Sequence, residues 1–174
     1  MAKVRFKNID KVTARLNTVF NEAKTSKKML NEIGTFVVER NKFFARSGKS
    51  LEDNNVPKKL PFLKESTIRI RKQLAFTFPS MIDGTFFKAD KSNVTFTGQL
   101  LKSLRYTVKR DSIALIFLGG RKKMMPDDAA TNDQVYDNLK SLGFGFVGLD
   151  EKGQKRVARL VLDEFRRTLK KFFK

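Results

Sequence analysis

The chain has no cysteine and no histidine, and each absence closes off a branch of chemistry. Without cysteine there is no disulfide framework, no thiol nucleophile and no zinc site of the usual kind. Without histidine, a Ser-His-Asp triad and imidazole acid–base work near neutral pH are excluded. Any catalysis would have to run on carboxylates, Lys, Ser or Tyr. Tryptophan is also missing and tyrosine occurs twice, so 17 Phe carry nearly all the aromatic packing. Long apolar runs are lacking too. The longest, Ile113 to Leu118, is far too short to span a bilayer. The opening "MAKVRFKNIDKV" offers no apolar stretch of roughly 7–15 residues such as a secretory signal needs. The sequence therefore reads as a protein that stays in the cytoplasm, or in something assembled there.

What is abundant is positive charge. Thirty-seven Lys and Arg face 18 Asp and Glu, a formal net charge of +19 over 174 residues. Such an excess repels itself in a compact monomer and favours polyanions or acidic surfaces as partners. Nucleic acid, an anionic membrane surface, or a larger assembly that supplies the counter-charge would each answer it. Forty per cent of the residues are hydrophobic, so the chain is not a disordered polybasic tail. Its length suits one domain, 1–174, able to bury roughly two thirds of its unfolded surface.

Apolar periodicity supplies the elements. Asp10 is placed to cap a helix in which Val12, Leu16, Val19 and Ala23 share one face. That face resumes at Leu30, Ile33, Val37 and Phe44, and "KTSKK" between them predicts two helices or one with an exposed middle turn. Lys11, Arg15, Lys24, Lys28 and Arg40 fall on the opposite, wet face. Residues 46–61 are a loop by composition, and 79–95 and 119–131 read as further extended loops. "STIRIRKQLAFTF" is ambiguous: Ile68 and Ile70 alternate with Arg69 and Arg71 as in a strand, yet Ser66 could cap a short helix. Leu104, Tyr106 and Val108 alternate with Arg105, Thr107 and Lys109, and the turn 110–112 leads into the apolar run 113–118. This is a hairpin whose second strand is expected to be covered on both sides. "DQVYDNLKSLG" is a short helix stopped by Gly143. The last segment, Asp150 to Phe173, is a helix with Val157, Val161, Phe165, Leu169 and Phe172 on one side and Lys and Arg on the other. The class is α+β: a small antiparallel sheet packed by a long N-terminal helix and a long amphipathic C-terminal helix.

Gly143, Gly145 and Gly148 fit the spacing G-x-G-x-x-G of a dinucleotide-binding turn. That turn needs a strand before it and a βαβ unit around it. Here a helix precedes it and one long helix follows, so the cofactor reading fails on context. The alternative is conformational: glycines allow a sharp path, Phe144 and Phe146 lodge in a groove, and Asp150 caps the final helix. Those aromatics could dock onto the chain's own core or onto a neighbouring subunit. "GGRKKMMPDD" lacks the order of a phosphate loop, although Arg121, Lys122 and Lys123 could touch phosphate from a flexible tip. Asp127, Asp128, Asp133 and Asp137 do not converge as a metal cluster would. From Asp150 onward nine Lys and Arg face four Asp and Glu, and that helix starts acidic, which suits non-specific polyanion contact better than base reading.

Three patches together resemble a bacteriophage family, the tail-completion and neck (virion morphogenesis) proteins that join head to tail. "LPFLKESTIRIRKQ" is similar to the family's Pro or Trp, then L-S-x-x-T, then a basic run. "FTGQLLKSLRYTV" resembles its T-G-x-L-x-x-S-[LI] entry into a hairpin, carried by Thr97, Gly98, Leu100 and Leu104. "FGFVGLDEKGQKRVARLV" looks like its R-x-F-L-G-L-[ST]-x-x-D turn into a terminal helix, with Val147 in place of Leu and no Arg before the Phe. The resemblance implies a non-enzymatic α+β subunit of a hexameric or dodecameric ring at the neck or tail end of a virion. Its partners would be copies of itself, neighbouring neck, connector, portal or tail-tube proteins, and genomic DNA in the lumen, with no membrane, cofactor or metal. It also implies that the region of Thr67 is a short helix or loop. Thr97, Gly98, Leu100, Leu104, Phe144, Phe146, Gly148 and Leu149 are then expected to shape the fold or subunit contacts. Arg121, Lys122, Lys123, Lys155, Arg159, Arg166, Arg167 and Lys170 are expected to face DNA or an acidic neighbour. The rival reading is a stand-alone cytoplasmic nucleic-acid-binding protein with non-specific phosphate contacts.

Overall fold

The computed structural model describes residues 9–51, 56–77, 79, 90, 99–118 and 131–172. Two helices, α1 (Ile9–Lys24) and α2 (Lys27–Arg46), open the chain. The break between them answers the "KTSKK" alternatives in favour of two helices. Its cause is local hydrogen bonding: the Thr25 hydroxyl bonds back to Asn21 and Glu22 carbonyls, and the Ser26 hydroxyl accepts from the Met29 N–H to cap α2. Because α1 already begins at Ile9, Asp10 lies inside it and is not its cap.

The stretch 46–61, expected to be loop, contains a small ladder. Strand β1 (Lys49–Ser50) pairs antiparallel with β2 (Lys58–Lys59), and Leu51 and Leu60 beside it are buried. Gly48, at φ +70°, makes the turn out of α2 into that ladder. Helix α3 (Glu65–Thr77) follows, so 66–77 is helical in spite of its alternation. Its start one residue before Ser66 makes Lys64, whose carbonyl accepts from Ile68, the residue at the cap. Among its side chains only Arg71 is buried, so no apolar face was available to betray the helical period.

The five-residue α4 (Gln99–Ser103) runs straight into β3 (Leu104–Val108), which pairs antiparallel with β4 (Ile113–Phe117), Tyr106 opposite Leu115. Alternation in β3 is as expected, with Leu104 fully buried and Arg105 and Thr107 exposed. The second strand differs from expectation. A two-stranded sheet covers few faces, so Ile113 to Ile116 are half-buried, Phe117 is buried and Leu118 is exposed. Helix α5 (Asn132–Ser141) opens on a capping box between Thr131 and Gln134. Helix α6 (Glu151–Phe172) is about 33 Å long at 1.5 Å per residue. The expected loops 79–95 and 119–131 lie almost wholly outside the described residues.

Helix α2 is the spine: β1, β3, β4 and α6 all pack on it. Two apolar clusters form along it. One joins Val38 and Ala45 of α2 to Leu100, Leu101, Leu104, Phe117 and Phe146. The other joins Met29, Leu30 and Ile33 to Val108, Ile113, Val157 and Leu160, tying the hairpin to α6. Gly34 lets the hairpin approach α2 closely, because a Cβ there would overlap the Tyr106 ring. That ring is pinned by its hydroxyl, which donates to Asn31 and lies 3.2 Å from the Thr35 hydroxyl. Helix α1 packs mainly on α6, and a single neighbour covers only a narrow face. Val19 and Ala23 are buried there as expected, whereas Val12 and Leu16 remain 49% and 40% exposed.

Candidate functional site

The glycine-rich turn between α5 and α6 forms a docking turn. At its start, Gly143 (φ +78°) closes α5: the Phe144 N–H bonds the Leu139 carbonyl at 2.8 Å and the Gly143 N–H bonds Lys140 at 2.9 Å. This is the paired hydrogen-bond pattern of a left-handed helix stop. Phe146 then enters the core with no exposed surface, edge-on to Tyr136 and Phe117 at 5.1 and 6.2 Å between ring centres. The Val147 N–H donates to the Tyr136 hydroxyl and the Gly148 N–H to Asn41 Oδ1 at 2.7 Å. Asn41, itself fully buried in α2, donates to the Val37 carbonyl. The N–H groups of Gly143, Phe144, Val147 and Gly148 are thus already committed inside the protein. Of the two docking sites open to the aromatics, Phe146 takes the chain's own core and keeps no area for a second subunit.

Asp150 completes the turn. Its Oδ1 accepts from the Gly153 N–H, capping α6, and Arg40 grips both oxygens, Nε to Oδ1 at 2.9 Å and Nη2 to Oδ2 at 2.5 Å. The same guanidinium lies 4.8 Å over the Phe44 ring. Arg40's hydrogen bond, assisted by the Gly153 N–H and opposed by burial, holds the Asp150 carboxyl below the usual carboxylate range. Arg40 was expected on the wet face of its helix. It turns inward because a carboxylate 110 residues away reaches it, a pairing invisible to local periodicity.

The expected fold-shaping residues divide clearly. Leu100, Leu104 and Phe146 meet in one cluster, and Phe144, Gly148 and Leu149 are half-buried. Thr97 and Gly98 lie outside the described residues, as do Arg121, Lys122 and Lys123. Lys155, Arg159, Arg166, Arg167 and Lys170 are all exposed along α6. Lys152, Arg156, Arg159, Arg166 and Lys170 fall within about 40° of one line on that helix, a cationic row about 27 Å long. Carboxylates on α6 are occupied within it: Glu151 pairs with Lys155, Glu164 with Arg167, and Asp163 with Arg166 at 3.7 Å. Asp133 and Asp137 are exposed on α5, and among the described residues no cluster of acidic side chains is arranged to hold a metal.

One feature escaped the sequence reading. A groove of about 530 Å³ opens where α1, α2, the β3–β4 turn and α6 meet, lined by Phe20, Leu30, Ile33, Ile113, Leu162 and Phe165 among others. The signal that could have found it was Phe20, an apolar residue one position off the expected face of α1. Beside the groove, Lys24 pairs with Asp111 of the hairpin turn at 2.7 Å.

No family model, no curated protein and no solved structure matches this chain. Among the described residues, no helix is long and apolar enough to cross a membrane.

Proposed function

We propose that this chain is a non-enzymatic structural subunit of a tailed bacteriophage, forming a ring at the head–tail neck or tail end as a tail-completion, connector or tail-terminator protein. The observation that carries the reading is the meeting of two of the resembling patches. Leu100 and Leu104 from "FTGQLLKSLRYTV" pack against Phe146 from "FGFVGLDEKGQKRVARLV" in one core. A family signature that is structural should fall on such fold-determining contacts, and a catalytic one should not. The turn that Phe146 anchors leads through the Asp150 cap into α6, so the same unit presents the cationic row. In a ring that row faces DNA in the lumen, or an acidic neighbour in the particle. Identically charged subunits resist closing on themselves, so the free protein is monomeric and assembles when counter-charge arrives.

Light scattering and negative-stain imaging of the purified chain, alone and with linear duplex DNA or phage neck components, test this. The expected result is a monomer alone and closed hexamers or dodecamers in the mixtures. A chain that stays monomeric in every mixture yet binds duplex tightly, with steep weakening by salt, would instead be the stand-alone nucleic-acid-binding protein. Turnover of a small molecule or phosphodiester, abolished by one carboxylate substitution, would overturn both.

A further inference from the structure

We infer that the groove between α1, α2 and α6 docks an acidic amphipathic helix of a partner protein. This goes beyond the ring proposal and does not depend on it. The apolar side is built from two exposed ridges. On α1, Val12, Leu16 and Phe20 recur every fourth residue and are 49%, 40% and 57% exposed, a stripe about 12 Å long that runs into the groove. On α6, Leu162 is 52% exposed on the groove's other wall. Two apolar ridges flanking a concavity about 530 Å³ in volume match the i, i+3, i+4, i+7 face of a helix laid between them.

Charge selects the occupant. Arg159 and Arg166 stand three residues before and four after Leu162, on the groove edge of α6, and both are exposed. Lys27 and Lys28, exposed at the α1–α2 break, sit next to the lining residues Met29 and Leu30. Arg110 adjoins Asp111 at the hairpin turn. Three acids at the groove are already paired: Asp111 with Lys24, Asp163 with Arg166 and Glu164 with Arg167. Arg159, Lys27, Lys28 and Arg110 then stand against Glu22 and Glu32, the exposed acids next to the lining residues Ala23 and Ile33, and leave the border net cationic around an apolar floor. A second copy would bring the same cations and a formal charge of +19 against it. A small apolar molecule would leave both the border charges and the α1 stripe unmatched. Carboxylates flanking an apolar helix face answer all three features.

The probe is a labelled helix-forming peptide of about four turns, with Leu at i, i+3, i+4 and i+7 and Glu on both flanks; its isomer carries Lys in place of Glu. Anisotropy titrations use the full chain at low and moderate salt. The Glu peptide is expected to bind, with the Lys isomer weaker by about tenfold or more. Phe20→Glu and Leu162→Glu, both at more than half-exposed positions, should each weaken the Glu peptide about tenfold while circular dichroism and urea midpoints stay near wild type. Lys27→Glu with Lys28→Glu should lower affinity and flatten its salt dependence. Equal binding of both peptides, or full binding by Phe20→Glu and Leu162→Glu together, would overturn the inference. So would a concentration-dependent dimer, or binding to anionic vesicles, that Phe20→Glu abolishes in a chain indifferent to the Glu peptide. Rings that form with DNA in a chain ignoring the peptide would sink this inference alone, and peptide binding without rings would sink only the neck reading.

Discussion

Truncating Arg40 gives the sharpest test of how the turn and α6 are held. Arg40→Ala strips Asp150 of its bidentate partner while leaving the carboxylate capping the Gly153 N–H. The Asp150 side chain is 9% exposed and Arg40's is 24% exposed, so the pair is mostly shielded from water. Breaking a buried pair by removing one member costs about 3–5 kcal/mol, because the other charge is left uncompensated. The partial exposure of Arg40 lets water reach the orphaned carboxylate, which argues for the lower end, about 3 kcal/mol. Loss of the guanidinium from the Phe44 face adds about 0.5–1 kcal/mol. Asp150→Asn keeps an oxygen able to cap α6 and should cost less, about 1–2 kcal/mol. Urea unfolding followed at 222 nm measures all three chains, and a double-mutant cycle with Asp150→Ala should return a coupling of about 1–3 kcal/mol. A loss under about 1 kcal/mol for Arg40→Ala, or strict additivity in the cycle, would refute the reasoning. The pH dependence carries a sign. Since Arg40 holds the folded Asp150 carboxyl below its unfolded value, about 3.9, the contribution is fully present above that value. It should shrink as pH falls below about 3.9 and vanish once pH passes below the folded pKa.

Further expectations concern the core, the close approach and the cationic row. Phe146→Ala removes a fully buried ring from the Phe117–Tyr136 cluster and should cost about 3–5 kcal/mol in the same urea assay. Gly34→Ala places a methyl 2.6 Å from Tyr106 Cε2 and should cost about 1–3 kcal/mol, partly recovered when Tyr106 is also changed to Ala. Replacing Arg159, Arg166 and Arg167 together by Ser should flatten the slope of log affinity for duplex DNA against log salt, by about 0.9 for each phosphate no longer neutralised.

Particular residues explain what the sequence disclosed. The Asp150 cap, the Gly143 stop and the alternation of Leu104, Tyr106 and Val108 are local signals, each settled by neighbours within a few positions, and each appears in the fold. Helix α3 was ambiguous because its Ile and Arg alternate and only Arg71 is buried, so no packed face imposes a 3.6-residue pattern. The β1–β2 ladder is two residues per strand, too short for any periodicity. Val12 and Leu16 satisfied the pattern of a buried face, yet burial also requires a neighbour, and α6 covers only the side bearing Val19 and Ala23. Arg40 looked like one more wet cation until a residue 110 positions away closed on it. The groove was illegible for the same reason: its walls join α1 and α2 to a hairpin turn and a final helix far along the sequence.

The arrangement of charge on α6 leads to a consequence for the whole chain. Three of the acids on α6 are taken up by Lys155, Arg166 and Arg167, so Lys152, Arg156, Arg159 and Lys170 form a row without local neutralisation by those acids. Neighbours in that row at i+3 or i+4 stand about 5–6 Å apart, inside a Debye length of about 10 Å at 0.1 M salt, and therefore repel. Exposed ion pairs such as Lys24–Asp111 pull the other way, but each contributes little. Repulsion should dominate in a chain of formal charge +19. Raising sodium chloride from about 20 to about 300 mM should therefore raise the urea midpoint, in contrast to proteins held by surface ion pairs. A polyanion should do the same at far lower concentration, by binding the folded row. A midpoint that falls with added salt would mean the surface pairs outweigh the repulsion, and the argument that this subunit awaits a counter-charge would lose its physical basis.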